Sequence, residues 1–323
     1  MKRVLSGIQP SGQLHLGNYT GAIRQFVEMQ RDHEMFIFVA AYHALTSGRD
    51  PETLRSNTRQ VVIDYLAFGI DPDQTSLYLQ QDVPQVTELC WLLACVCPKH
   101  LMDKQTTYKD KVARGLPASI GLYIYPILQA ADILAVDPDV VPVGEDQRQH
   151  VEIARDLAGK FNHHYGEVFK IPELIVREGA GVLPGVDGQK MSKSYDNTID
   201  PFAPEKKLRK RIMKIQTDST PVEEPKDPET CTVFQIFRAL AGEGDPRTRE
   251  LRQRYEAGGM GYGEAKQALF ELILDHFAEA RQKREQLMND PGYVDDVLRR
   301  GADAAREKIA DVTERARRAV GLV

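Results

Sequence analysis

The chain has 323 residues, of which 42% are hydrophobic and 28% are charged, with a formal net charge of −5. This length allows two domains of about 100–200 residues each, and the hydrophobic content excludes a largely disordered chain. The acidic balance excludes a histone-like protein that coats nucleic acid, although it is compatible with local basic patches. Four cysteines do not form a disulfide framework, and they favour a reducing compartment.

The start of the sequence, MKRVLSGIQPSG, contains no apolar stretch long enough for a signal peptide. No apolar run approaches the ~18–20 residues that are needed to span a bilayer. The sequence therefore predicts a soluble protein in the cytoplasm.

Strand-like and helix-like segments alternate over the first two thirds of the chain. Strands are predicted at RVLSGI (3–8), MFIFVAAY (35–42), TSLYLQ (75–80) and DVVPVG (139–144), and helices at 18–30, 50–69 and 124–136. In the second helix, Asp50 is the predicted N-cap, Pro51 the first residue and Gly69 the stop signal. Apolar runs such as 35–42 are typical of strands buried on both faces of a parallel sheet. This alternation predicts an α/β fold, a doubly wound parallel sheet of the Rossmann type.

From Pro204 onward the sequence is highly charged and its pattern is helical. The last segment places apolar residues on one stripe at helical spacing, namely Val294, Val297, Leu298, Ala305, Ile309, Val312, Ala316 and Val320. We therefore predict a first domain over residues 1–196 and a second, helical domain over residues 197–323. The last helix is expected to pack back on the first domain.

The first chemically informative stretch is SGIQPSGQLHLGNYTGAI, residues 6–23. A strand ends at Gly7, a tight loop follows, and HLGN (15–18) begins a helix. Backbone N–H groups at a helix start attract phosphate, Gly17 permits close approach, and His15 and Asn18 can donate hydrogen bonds. The alternative is an ordinary strand–loop–helix turn, but ligands of open α/β sheets bind at this end of the strand.

A second stretch suited to phosphate lies at DGQKMSKSYDN, residues 187–197. It follows a loop rich in Gly and Pro, GAGVLPGVDG. Lys190 and Lys193 are interleaved there with Ser192 and Ser194. Two cations and two hydroxyls on a hinged loop are what the binding of a polyphosphate requires.

Together these motifs resemble the two signatures of class I aminoacyl-tRNA synthetases. HLGN resembles their HIGH motif and KMSKS is identical to their second motif. GIQPSGQLHLGNYTGA, AADIL and VPVGEDQRQH further resemble the bacterial tryptophanyl-tRNA synthetases, across essentially the whole chain. The resemblance implies that ATP activates tryptophan, which then passes to the 3′-terminal adenosine of tRNA(Trp). It also implies Mg²⁺ held mainly by phosphates, a homodimer, a catalytic domain at 1–196 and an anticodon-binding domain at 197–323.

The resemblance assigns catalytic roles to His15, Lys190 and Lys193. The ATP-binding residues that it implies are Gln9, Pro10, Ser11, Gly17, Asn18, Gly144, Glu145, Asp146, Val182, Lys190, Met191, Ser192, Lys193 and Ser194. For Gly144–Gln147, the alternative is an exposed helix start whose acidic residues are favoured by the helix dipole.

The candidate amino acid site centres on Asp132, which lies on one helical face with Tyr125 and Gln129. A carboxylate on an apolar helix is costly to bury without a donor, and an indole N–H can only donate. The resemblance assigns the indole N–H of tryptophan to Asp132; the alternative is an N-cap or a structural ion pair. The remaining tryptophan-binding residues that it implies are Gln147, His43, Tyr125, Gln129, Leu5, Val141 and Val143. Leu5 and Gln129 depart from the aromatic residue and the Met that relatives often carry there.

The cysteines do not predict a metal site. The spacing in CWLLACVCPKH (90–100) matches no common zinc pattern. Some members of the resembled family hold an iron–sulfur cluster with four cysteines in the C-terminal domain, where this chain has only Cys231. We therefore expect neither structural zinc nor an iron–sulfur cluster.

The segment EKKLRKRIMK (205–214) carries six basic residues in ten. The simpler interpretation is a solvated helical face. Beside a synthetase core, the same residues would contact tRNA phosphates, a contribution that is independent of sequence and sensitive to salt.

Three other functions remain open. A tyrosyl-tRNA synthetase shares the fold, but it needs groups that both donate to and accept from a phenol, whereas Asp132 only accepts. A small-metabolite nucleotidyltransferase of the same superfamily has no use for residues 200–323. A non-enzymatic RNA-binding paralogue has no use for two phosphate-binding motifs.

Overall fold

The computed structural model of the protein describes residues 1–48, 50–113, 115–176 and 183–323. Its centre is a sheet of five parallel strands in the order β3-β2-β1-β4-β5. The strands are β1 (Lys2–Ile8), β2 (His33–Val39), β3 (Thr75–Leu79), β4 (Val140–Val143) and β5 (Glu173–Val176). The predicted doubly wound α/β fold with a helical second half is confirmed.

Helices connect the strands and make up most of the chain after residue 204. They are α1 (Leu16–Asn18), α2 (Arg24–Met29), α3 (Ala41–Ala44), α4 (Pro51–Ala67), α5 (Gln85–Val96), α6 (Lys99–Asp103), α7 (Thr106–Ala113), α8 (Ile120–Leu134), α9 (Arg148–Tyr165), α10 (Glu205–Met213), α11 (Thr232–Ala241), α12 (Pro246–Ala257), α13 (Tyr262–His276), α14 (Ala278–Asn289) and α15 (Pro291–Ala319). A π-helical turn (Tyr19–Ile23) joins α1 to α2. Among the described residues, no helix has the length and apolar character needed to cross a membrane.

The helix caps follow the sequence signals closely. The Asp50 side chain accepts the backbone N–H of Thr53 at 2.9 Å and so caps α4 as predicted. Gly69 follows the helix with φ of +107°, a conformation that side chains with a Cβ rarely adopt. Helix α8 begins four residues earlier than predicted, because Ser119 caps it through the backbone N–H of Leu122.

The predicted strand over residues 35–42 is wrong at its end. Strand β2 ends at Val39, and the short helix α3 begins at Ala41. A buried apolar run has the same pattern whether it is a strand or a helix, so periodicity could not separate the two. The change of direction matters because it brings α3 to the carboxyl end of β2.

Side chains alternate between two hydrophobic cores, one on each face of the sheet. In β1, Val4 belongs to the first core and Leu5 to the second. The first core joins the sheet to α4 and to α10–α14, so the helical half packs directly on one sheet face. The second core joins the opposite face to α5, α8 and α9.

Helix α15 belongs to both cores and therefore crosses the edge of the sheet at β3. Val294, Val297 and Leu298 contribute to the first core, whereas the stretch from Ala302 to Ala316 contributes to the second. Gly301 lies at the crossing, where a Cβ would come within 2.0 Å of the Leu77 carbonyl oxygen. The predicted apolar stripe is buried, with Val320 only partly so.

Replacing Gly301 by alanine is expected to destabilise the protein. The added methyl group meets the backbone of Leu77 rather than a movable side chain, and such overpacking costs about 1–3 kcal/mol of unfolding free energy. Urea denaturation would measure the loss. The matched control is Gly263→Ala in α13, where a Cβ meets nothing within 4 Å and alanine should stabilise the helix slightly. Equal stability of the Gly301 variant and the wild type would contradict the close packing.

Candidate active site

Two adjoining cavities open at the carboxyl ends of β1, β2 and β4. The larger has a volume of about 1130 Å³ and the smaller about 570 Å³. They share a wall formed by Ser6, Gly7, Ile8, Val143, Asp146 and Gln147. Ligands of open α/β sheets bind at this end of the strands, so a ligand in one cavity can meet a ligand in the other.

The loop that precedes α1 forms one side of the larger cavity, which His15, Gly17 and Asn18 line. The Asn18 side chain accepts the backbone N–H of His15 at 3.0 Å and so fixes the start of the helix. Burial, reinforced by the positive charge of Lys193, lowers the pKa of His15 to about 4. His15 is therefore neutral near pH 7, and its ring keeps one N–H that can donate to a phosphate oxygen.

The KMSKS segment forms the opposite side of the larger cavity and contacts the first loop. The residues before it make a hairpin, in which the backbone N–H of Met191 donates to the Leu183 carbonyl at 2.8 Å. Lys193 Nζ donates to the Gly12 carbonyl at 2.9 Å and to Ser11 Oγ at 3.4 Å. Burial lowers the pKa of Lys193, and the negative charge of Asp64 opposes that shift. Two motifs separated by about 180 residues thus meet across one cavity.

Asn197 holds the KMSKS segment and was missed from the sequence. Its side-chain oxygen accepts the Ser192 N–H at 2.7 Å, and its amide donates to the Lys190 carbonyl at 2.9 Å and to Asp187 at 2.8 Å. The side chain is buried, and its three hydrogen bonds orient the backbone of the loop that carries Lys190 and Lys193. An asparagine after a loop is a common turn residue, so its sequence position carried no distinguishing signal.

Most residues predicted for the amino acid site line the smaller cavity. These are Leu5, His43, Tyr125, Gln129, Val141, Val143 and Gln147. Gln129 donates to the side-chain oxygen of Gln147 at 3.2 Å, which connects α8 to the turn before α9. The polar amide at position 129 therefore has a partner within the site.

Asp132 is not among the residues that line the smaller cavity, although its partner His43 is. Its side chain is 3% exposed, and its Oδ2 is 2.8 Å from Nε2 of His43, which does line the cavity. A carboxylate accepts, so His43 Nε2 carries the proton of this hydrogen bond, and a neutral ring leaves Nδ1 as an acceptor. Through this hydrogen bond, Asp132 orients the ring of His43.

Gln80 completes this arrangement and was also missed. Its side-chain amide donates to both carboxylate oxygens of Asp132, at 2.9 and 2.7 Å, and its oxygen accepts the Tyr42 N–H at 2.8 Å. The prediction included Gln80 in a strand, whereas the strand ends at Leu79 and Gln80 starts a short 3₁₀ turn (Gln80–Asp82). A polar residue at the carboxyl end of a buried strand was the available signal.

His150 is the third residue of the site that the sequence did not single out. Its Nε2 lies 2.7 Å from the Tyr125 hydroxyl, and both residues line the smaller cavity. His150 follows Gln147 by three residues, a spacing that places both on one side of a helix. That spacing, inside the quoted VPVGEDQRQH segment, was a usable signal.

Comparison with known proteins assigns the chain to a family. The model of the family described as tRNA synthetases class I (W and Y) matches residues 1–278. The chain belongs to this family. The predicted enzyme class, an aminoacyl-tRNA synthetase of class I, is thereby confirmed.

Individual relatives match this synthetase over almost its full length. Proteins named tryptophan–tRNA ligase from Fusobacterium nucleatum and Rhodopirellula baltica are 49% and 51% identical to it, with at least 99% of both chains covered. The crystal structure of tryptophanyl-tRNA synthetase from Campylobacter jejuni complexed with ADP and tryptophan is 48% identical, with a TM-score of 0.93 and 99% of each chain covered. The enzyme from Mycoplasma pneumoniae is 30% identical, with a TM-score of 0.85 and coverage of 100% and 98%.

The remaining predicted ATP residues of the synthetase lie in several places. Those that line the larger cavity are Ser11, Gly144, Glu145, Asp146, Lys190, Met191, Ser192, Lys193 and Ser194. Gln9 lines the smaller cavity instead, and Pro10 lines neither. Val182 lies outside the described residues.

Among the residues that the structure of the synthetase describes, no three His, Cys, Asp or Glu side chains come together as a metal site. The Sγ atom of Cys231 lies 3.3 Å from the Tyr255 hydroxyl in the core of the helical half. The expectation of neither zinc nor an iron–sulfur cluster stays a prediction.

Proposed function

We propose that this synthetase activates L-tryptophan with ATP and transfers it to the 3′-terminal adenosine of tRNA(Trp). The observation that carries the proposal is the wall shared by the two cavities, Ser6–Ile8 with Asp146 and Gln147. Across it, the carboxylate of an amino acid in the smaller cavity meets the α-phosphate of ATP in the larger one. The relatives named tryptophan–tRNA ligase support tryptophan as the amino acid, as does the Campylobacter jejuni structure with ADP and tryptophan.

Positioned charges are the main means of catalysis in this reaction. The amino acid carboxylate attacks the α-phosphorus in line, the bond to the leaving oxygen breaks, and pyrophosphate departs. Negative charge shifts onto the phosphate oxygens, which Lys190, Lys193 and the N–H of His15 stabilise from the two sides of the cavity. Mg²⁺ would be held mainly by the ATP phosphates and water, and it would supply positive charge beside the phosphate oxygens.

Asp132 is the proposed acceptor for the indole N–H. A carboxylate offers about four lone-pair sites, and Gln80 and His43 occupy three of them. The fourth, on Oδ1, remains for the substrate. Gln80 and His43 supply the donors that compensate for the burial of this carboxylate and fix its orientation.

Tryptophan-dependent exchange of pyrophosphate into ATP tests the proposed reaction. Tyrosine and phenylalanine are assayed in parallel. Exchange with tryptophan alone is the expected result. Exchange with tyrosine would overturn the assignment of Asp132, and no exchange with any amino acid would overturn the reaction itself.

Helix α10 is the surface that we assign to tRNA phosphates. Its exposed cations are Lys206, Lys207, Arg209 and Lys210, followed by Lys214, and none of them pairs with a carboxylate of the described residues. Arg211 of the same helix binds the backbone carbonyls of Asp196 and Thr198, just after the KMSKS segment. Phosphate bound by α10 therefore lies beside the ATP site.

Replacing Lys206 and Lys210 together by alanine is expected to weaken tRNA(Trp) binding without changing pyrophosphate exchange. Each lost phosphate contact should reduce the slope of log K against log salt by about one, so the pair should reduce it by about two. Filter binding at several salt concentrations measures the slope. The matched control replaces Lys2 and Lys308, which pair with Glu173 and Glu307. An unchanged slope in the α10 variant would place the tRNA elsewhere.

A homodimer is proposed through the surface of α5 and α8. Trp91 and Ile120 are 69% and 73% exposed there, and large exposed apolar side chains are typical of protein interfaces. Trp91→Glu is expected to shift the protein towards monomer in sedimentation velocity experiments, because a charge would be buried at the contact. A dimer of unchanged strength would exclude this surface.

The two halves of the chain have different proposed roles. The residues that line both cavities fall between Leu5 and Ser194, which supports residues 1–196 as the catalytic domain. Residues 197–323 then bind the anticodon, and a crosslink from the tRNA(Trp) anticodon loop to this region tests that role. Since the reaction serves translation, we place the protein in the cytoplasm.

A further inference from the structure

A buried ion pair joins α4 of the sheet half to α14 of the helical half. Arg284 Nε donates to Asp64 Oδ1 at 2.8 Å, and the two side chains are 15% and 1% exposed. Gln60 donates to the same oxygen at 2.7 Å. Neither Asp64 nor Arg284 lines the two cavities, so the catalytic scheme gives this pair no role.

Asp64 acts on both loops of the ATP site. Burial raises the pKa of Asp64, and the backbone N–H of Leu14, the residue before His15, is among the groups that oppose this shift. The negative charge of Asp64 also acts on Lys193, the lysine that bridges to the Gly12 carbonyl. One carboxylate thus interacts electrostatically with the first loop and with the KMSKS segment.

Arg284 and its neighbour Arg281 hold the chain that leaves the KMSKS segment. The guanidinium of Arg284 lies 4.9 Å from the ring centroid of Phe202. Arg281 donates to the carbonyls of Pro201 and Ala203, at 2.5 and 3.0 Å. The Ile199 carbonyl in the same stretch accepts the first N–H of α1 at 3.0 Å. Helix α14, this stretch and the first loop are therefore fixed to one another.

We propose that Asp64 and Arg284 are positioning residues for amino acid activation. Arg284 ties Asp64 to α14. Asp64 in turn holds the loop of His15 and the Nζ atom of Lys193 so that Lys193 contacts the first loop. The position of α14 thereby sets the geometry of the ATP site. The proposal rests on the proposed function for its kinetic consequence.

Physical chemistry favours this role over simple stabilisation. A buried ion pair adds little net stability, because desolvation offsets the attraction, whereas loss of one partner leaves an unpaired buried charge. What the pair supplies is a fixed geometry between segments far apart in sequence. Displacement of a catalytic group by about 1 Å is enough to cost about 100-fold in rate.

The kinetic test uses the full-length chain with Asp64→Asn, Arg284→Gln and the double variant. Each single variant is expected to lower kcat/KM for ATP in pyrophosphate exchange by about 10–100-fold, with the tryptophan Kd unchanged. The double variant should have a kcat/KM no lower than that of the less active single variant, because the two residues act as one unit. Arg284→Lys, which keeps the charge, should recover part of the loss. The control is Arg59→Gln, which breaks another ion pair of α4, with Asp295 of α15.

A second readout does not depend on activity. Asp64 raises the pKa of Lys193 against the lowering effect of burial. Trace acylation followed by mass spectrometry should therefore show that Lys193 becomes reactive at a lower pH in Asp64→Asn. The other charged groups near Asp64, namely Asp200, Arg281 and Arg284, are unchanged in this variant. His15 is neutral over that pH range. Lys190 serves as the internal reference.

The outcomes separate the two proposals. No exchange by the wild-type protein would overturn the proposed function, while the reactivity of Lys193 would still test the positioning role. Normal exchange with unchanged kinetics in both single variants would overturn the positioning role alone. A lowered melting temperature with unchanged kcat/KM and unchanged Lys193 reactivity would also overturn it, because the pair would then act only on stability.

Discussion

Replacing Lys193 by alanine is expected to slow tryptophan activation by about 10²–10³-fold, the usual loss when one donor to a developing charge is removed. The affinity for tryptophan should stay unchanged. In the proposed mechanism, the charge that Lys193 stabilises grows as pyrophosphate leaves, so the lysine acts mainly in the transition state. Its Nζ is held between Ser11 and Gly12 of the first loop, and Lys193 lines the larger cavity but not the smaller one.

Single-turnover formation of tryptophanyl-adenylate would measure the rate, and equilibrium dialysis would measure tryptophan binding. Lys160→Ala, an exposed lysine on α9, is the control for loss of a positive charge. A variant with weaker tryptophan binding and a normal rate would show that the lysine has been assigned to the wrong substrate.

Asp132→Asn is expected to weaken tryptophan binding by about 10–100-fold, the equivalent of about 1.5–3 kcal/mol for a hydrogen bond to a charged group. Three hydrogen bonds from Gln80 and His43 converge on the carboxylate. An amide has only one acceptor oxygen, so its NH₂ group would face a donor. The amide oxygen should take the Oδ2 position, where Gln80 and His43 both donate, so the variant loses the indole acceptor on Oδ1 while the ATP loops are untouched.

The matched ligand control is the benzothiophene analogue of tryptophan, which has the same shape but lacks the N–H group. Isothermal titration with both ligands separates the two roles of the carboxylate. The wild type should prefer tryptophan, and the variant should bind both ligands almost equally. If the variant weakened both ligands by the same factor, Asp132 would shape the cavity rather than accept the N–H.

The sequence predicted the features that depend on local pattern or on continuous motifs. The cap at Asp50, the parallel strands and the two phosphate-suited loops all belong to this class, because each is encoded within a few neighbouring residues. The buried stripe of the last helix is another example, since its apolar spacing alone determines which face is covered.

The sequence did not predict the residues whose role depends on a distant partner. Gln80 acts through Asp132, which lies 52 residues away, and Asp64 acts through Arg284, which lies 220 residues away. Asn197 acts locally, but its three hydrogen bonds exist only once the hairpin before it has formed. The change from strand to helix between Val39 and Ala41 was not predicted, because a buried apolar run has the same pattern in a strand and in a helix.

The crossing of α15 over β3 bears on how the protein is made. Domains generally fold as they leave the ribosome, N-terminal part first, yet here the outer strand β3 is covered by α15, which is synthesised long after it. Until α15 has left the ribosome, the nascent chain presents an open strand edge, which is a template for pairing with other chains. Products that terminate before α15 lack the covering helix and are expected to be captured by chaperones or degraded.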